Sequence, residues 1–259
     1  MASHGEVLYL NESGNGKVLI SSPDVIIPAG PNCRNTINTR IYFGITRAYP
    51  FDWWFSPITS VLDMLRPGFI FDISADDILL LDTDSIGHTA YNTRYQILHH
   101  HDFPRVDGRI LPPTSEQLEQ VNAKYQWLFK RMHDDIGRAN NVLLVSEGLQ
   151  YEFRWIDPAV VPPLPQPSQR RIGELIQEYC GMKTTLVSVC AGESSTVIEP
   201  GAIYLRRPDD RTRIFDENHR LFYAEPVNVY EKAFTELGLM SRQSKNRSTL
   251  DVSQHAPPF

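Results

Sequence analysis

The sequence predicts an α/β or α+β fold, with a central sheet flanked by helices. Two observations carry this. Short apolar runs of strand length alternate with stretches whose apolar residues recur at helical spacing. The chain is also long enough, at 259 residues with 41% hydrophobic and 22% charged, to bury one large core. The alternation continues through Pro158–Pro167, which holds five prolines, so residues 1–240 read as a single domain. Residues 241–259 are polar, end near two prolines, and read as a flexible tail.

The elements follow in order. Strands fit within Glu6–Leu10 and Lys17–Ile27. A helix starts after Asn32, a good N-cap; Ile37 and Ile41 lie four apart, and Gly44 suits a left-handed stop. Cys33 then falls in the first turn. Ser56 caps a second helix with Pro57 at its first position, and Ile58, Val61, Leu62 and Leu65 form its apolar face. Ile78–Leu81 reads as a buried strand, and Tyr95–His101 as another that ends at Asp102-Phe103-Pro104. The strongest helix begins at Thr114 or Ser115 and carries Leu118, Val121, Tyr125, Leu128, Phe129 and Met132 on one stripe. Val142–Val145 is a strand of buried type. A helix marked by Ile172 and Ile176, strands at Thr184–Val189, Ala202–Leu205 and Leu221–Ala224, and a helix ended by Gly238 complete the chain.

Composition excludes several classes. The net charge is −6 and no basic stripe appears, so no nucleic-acid partner is expected. The apolar runs are too short to cross a bilayer, so no membrane partner is expected. No basic start leads into an apolar stretch, and the three cysteines show no Cys-x-x-Cys spacing. That pattern fits a reducing, cytoplasmic location. The contiguous histidines lack a metal-ligand spacing, and no glycine loop cradles phosphates, so neither metal nor cofactor is expected.

The chemistry centres on Cys33. A cysteine attacks as its thiolate, and a helix N-terminus favours negative charge. His99-His100-His101 supplies a base on a later strand. In a strand, His99 and His101 share a face. His101 lies nearest the strand end and is preferred, with His99 second. Cys180 and Cys190 read as structural. Trp53 and Trp54 fit the core better than an aromatic platform for a ligand.

The residues Asn32-Cys33, Tyr49-Pro50-Phe51-Asp52-Trp53, Ser56-Pro57 and His101-Asp102-Phe103, in that order, resemble a bacterial and viral family of papain-like cysteine peptidases. The likeness covers roughly residues 25–150. It implies a papain-like fold with Cys33 as nucleophile and His101 as base. Asp52 then either orients the histidine or anchors backbone N–H groups; Asp102 and Glu147 are the other candidate acids. The backbone N–H of Cys33, with the Asn32 amide, would stabilise an oxyanion. The implied activity is acyl transfer from a peptide, amide or other acyl donor, either to water as a cysteine hydrolase or to an amine or hydroxyl as an acyltransferase. A third reading is a non-enzymatic module that binds a glycan or protein, with Trp53 and Trp54 as its platform.

Overall fold

The computed structural model describes residues 20–83, 87–150, 152–154, 156–209 and 227–240. The first half contains β1 (Val25–Pro28), α1 (Cys33–Phe43), β2 (Trp54–Phe55), α2 (Ile58–Leu65), β3 (Ile78–Thr83), β4 (Gly87–Asn92), β5 (Ile97–His99), β6 (Arg105–Val106) and β7 (Arg109–Ile110). There follow α3 (Ser115–Arg138), β8 (Val142–Glu147), α4 (Gln169–Cys180), β9 (Thr184–Ala191), β10 (Ser195–Glu199), β11 (Ala202–Arg207) and α5 (Val227–Glu236). The expected strand at Leu221–Ala224 and the expected tail from residue 241 lie outside the described residues.

A mixed sheet in the order β1-β8-β9-β11-β10 forms the centre. Its first four strands are parallel and β10 is antiparallel at the edge. The unbroken apolar run of β8 follows from this position. Val142 and Leu144 face one core, Leu143 and Val145 the other, so both faces of the strand are dry. Helices α1 and α5 cover the second of these faces, and α2, α3 and α4 cover the first. The result is a sheet flanked by helices, as the alternation predicts.

An antiparallel sheet, β2-β5-β4-β3, joins the α2–α3 side through Trp54, Ala90 and Ile97. Here two expectations are corrected. Ile78–Leu81 is not a buried strand. It belongs to β3 at the sheet edge, and Leu79 is 38% exposed. The strand expected over Tyr95–His101 is only Ile97–His99. Gln96 is left-handed at φ 54°, and the Tyr95 amide donates to the Asn92 side chain, so a tight turn occupies the first two positions. The chain bends again after His99, and His101 therefore lies beyond the strand, where the alternation rule no longer assigns its face.

The caps of α1 match expectation. Asn32 Oδ1 accepts from the Arg34 and Asn35 amides, and Gly44 stops the helix at φ 66°. The start of α2 differs. Pro57, not Ser56, is the cap, and the Ile58 amide donates to the Gln150 carbonyl. The Ser56 amide is tied to the Pro31 carbonyl, which draws the end of β2 against the turn before Cys33. Among the described residues no helix is long and apolar enough to cross a membrane.

Candidate functional site

In parallel sheets, ligands bind outside the carboxyl ends of the strands, where successive crossovers leave for opposite faces. This sheet has such a point. The helix after β1, α1, packs on one face, and the helix after β8, α4, packs on the other, while β1 and β8 are neighbours. The Glu147 amide donates to the Gly30 carbonyl, which fixes the two strand ends side by side. Cys33 is the first residue of α1 and stands at this crevice, half-buried.

Several influences act on the Cys33 sulfur. Burial raises its pKa most. The Cys33 and Arg34 amides and the Arg34 charge pull it down, and the Glu147 charge pushes it up. The net direction is upward, so Cys33 rests as a thiol and needs a base to become a nucleophile. Arg34 and Glu147 form a fork-to-carboxylate ion pair beside it, with Arg34 Nε 2.9 Å from Oε2. Glu147 is thus the partner of a guanidinium, not of a histidine. Replacing Glu147 by Gln removes a negative charge from beside the sulfur. The iodoacetamide rate at Cys33 near neutral pH should rise about threefold to tenfold, with the rate–pH profile displaced to lower pH. An unchanged profile would show that Glu147 does not act on the thiol.

Cys33, Thr36 and Arg40 share one face of α1 by their spacing. That face turns toward Pro50–Trp53. Asp52 is wholly buried there and accepts from Arg40, from the Thr36 hydroxyl at 3.4 Å and from the Tyr49 amide at 2.8 Å. Burial lifts its pKa to about 6 against the pull of Arg40 and the Tyr49 amide. The expectation that Asp52 orients His101 is therefore corrected: it anchors a backbone amide and neutralises a buried guanidinium. Arg40 also lies over the Trp53 ring, 5.8 Å from its centre, and the same ring meets His101 edge-on, centres 6.1 Å apart. Trp53 thus lies between Arg40 and His101, and among the described residues none of the groups that act on the Cys33 sulfur is a histidine. His101 is half-buried, and burial lowers its pKa, which keeps it a neutral base near pH 7.

His99, the second choice, has no nitrogen to spare. It is fully buried, with Nδ1 2.8 Å from Asp102 and Nε2 3.3 Å from Asn92 Nδ2. The Tyr95 amide donates to Asn92 Oδ1, which orients that side chain with its nitrogen toward His99. Nε2 therefore accepts, and the ring hydrogen sits on Nδ1, donated to Asp102. Asp102 also accepts from Trp54 Nε1 at 2.9 Å, from the Tyr125 hydroxyl at 2.7 Å and from Lys124 at 2.7 Å. Trp54 is fully buried in this network, which rules it out as a platform. Of the expected oxyanion donors, the Asn32 carbonyl oxygen is occupied as the helix cap, which leaves its amide nitrogen.

Arg34 and Arg40 are the residues that sequence reasoning missed. The signal for Arg40 was present: a buried carboxylate in an aromatic block needs a cation, and Arg40 lies seven residues after Cys33 on the same helix face. Among the described residues, no three His, Cys, Asp or Glu side chains gather where a metal ion could sit. Comparison with protein-family models, with curated proteins and with solved structures gives no match.

Proposed function

We propose that this protein is a thiol-dependent acyl-transfer enzyme, a cysteine hydrolase of papain-like type acting on amide or related acyl donors. One observation carries the reading. Cys33 opens α1 at the crevice between the carboxyl ends of β1 and β8, where the positive end of the helix lies beside its sulfur. In this scheme His101 removes the thiol proton, the sulfur attacks the carbonyl carbon, and the Cys33 N–H with the Asn32 amide nitrogen steadies the oxyanion. Trp53 holds the imidazole edge-on in place of an acid. The division of labour, cysteine at a helix start and histidine just past an antiparallel strand, is the papain-like element of the reading. Three unpaired cysteines suit a reducing, cytoplasmic setting.

The test is acylation by a thiophenyl ester, followed by intact-protein mass. One acyl group should form on Cys33 and be released by water. Cys33→Ala should lower turnover about a thousandfold or more, and His101→Ala about a hundredfold or more. Cys180→Ala and Cys190→Ala should leave it unchanged. Acylation that survives in Cys33→Ala, or none in the wild type, overturns the reading.

A further inference from the structure

We infer that the acyl group taken by Cys33 carries a second, anionic end, a carboxylate received by the Arg34 guanidinium. The inference rests on the acyl-transfer reading above and names its substrate class.

Arg34 directly follows Cys33, and its ion pair is lopsided. The Glu147 side chain is 11% exposed and that of Arg34 is 41% exposed. The carboxylate is the more buried partner, and the guanidinium is the more open to solvent. Glu147 engages Nε and Nη2, and among the described residues Nη1 has no hydrogen-bond partner. A guanidinium pinned in this way presents its remaining N–H groups in a fixed plane, and this suits a carboxylate better than an ammonium would.

The surrounding charge agrees. Arg206 is exposed and pairs in register with Cys190, and Cys190 lies one strand from Glu147. The rim at the ends of β8, β9 and β11 thus carries two arginines near one half-buried carboxylate, with the positive end of α1 beside them. Glu193, exposed past β9, is the opposing charge on that rim. The two arginines balance Glu147 and Glu193, so on a chain of net charge −6 this rim is locally neutral and the free edge of Arg34 is open to an anion. Adjacent Cα atoms lie about 3.8 Å apart. The Arg34 charge also acts on the Cys33 sulfur, so we take a short diacid chain, succinyl or glutaryl, as the acyl group to test.

The step balances without an oxidant. The Cys33 sulfur forms a bond to the acyl carbon, the bond to the leaving thiophenolate breaks, and the Cys33 proton departs with it as thiophenol. Water then cleaves the new thioester to the diacid and the free thiol.

The experiment compares single-turnover acylation of the full chain by the thiophenyl monoester of glutarate and by thiophenyl pentanoate. The glutaryl ester should react about tenfold to a hundredfold faster. Arg34→Gln should reduce that ratio to within about threefold, and Arg34→Lys should leave an intermediate ratio. Because Arg34→Gln alone strands Glu147, the double variant Arg34→Gln with Glu147→Gln is run beside it, with a thermal melt to establish folding. A wild-type ratio near one, or a preference that survives in the folded double variant, overturns the inference and leaves acyl transfer standing. If neither ester acylates Cys33, the acyl-transfer reading falls first and takes the inference with it.

Discussion

An Asp102→Asn variant is expected to lose about 3–5 kcal/mol of stability in denaturant unfolding. The estimate follows from what the carboxylate holds. His99 Nδ1, Trp54 Nε1, the Tyr125 hydroxyl and the Lys124 ammonium all donate to it. Lys124 is half exposed and can turn to water, but the other three donors are buried. An amide offers one acceptor oxygen and turns an N–H₂ group toward donors. Each stranded buried donor costs roughly 1–3 kcal/mol. Losing this hub loosens β2, β5 and α3 together, because its members come from all three.

The pH dependence of this effect has a definite sign. Burial by itself would raise the Asp102 pKa; the hydrogen bond from His99 and the Lys124 ammonium outweigh it and hold the carboxyl well below its usual range. A carboxyl depressed on folding contributes stability above its unfolded value of about 3.9, and that contribution is lost as pH falls below it. The gap between wild type and Asp102→Asn should therefore be full at neutral pH and narrow below about pH 4. A gap that stays constant down to pH 2 would show that the ionised carboxylate is not what stabilises the hub.

The sequence made local features legible and left long-range ones obscure. Asn32 and Gly44 declare both ends of α1, because caps act within one turn. Val142–Val145 declares a buried strand, because a parallel position leaves neither face wet. The alternation of elements yields a sheet flanked by helices for the same reason. The histidines were harder. Their facing was inferred from strand alternation, but a left-handed Gln96 and a bend after His99 confine the strand to three residues. The pairing of His99 with Asp102 spans only three positions, yet it needs that bend to exist. Trp54, Tyr125 and Lys124 reach the same carboxylate from distant segments, and no spacing rule announces them. The switch point at Cys33 depends on which face each crossover takes, a property of the assembled sheet.

Asp52→Asn separates the two roles first open to that residue. If Asp52 oriented the catalytic histidine, the variant would fold normally and lose activity per folded molecule. The geometry predicts the reverse. Arg40 is buried, and removing its counter-charge should cost about 3–5 kcal/mol. Acylation of Cys33, measured on the folded fraction at low temperature, should fall by less than about tenfold, since Asp52 reaches His101 only indirectly, through Arg40 and Trp53. Replacing both partners, Arg40→Met with Asp52→Leu, should recover much of the loss, because a buried pair can be exchanged for apolar side chains of similar volume. The Tyr49 amide, left without its acceptor at 2.8 Å, limits that recovery. The wild type carries its own signature. Burial holds the Asp52 carboxyl at about 6, above its unfolded value, so the folded state binds the extra proton. Its contribution to stability must then decline as pH rises from about 4 to about 6, opposite in sign to that of Asp102. Asp52→Asn should abolish that slope. A variant that keeps the slope, or that folds as stably as wild type while acylation collapses, would return Asp52 to the catalytic machinery and remove Arg40 as the reason for its burial.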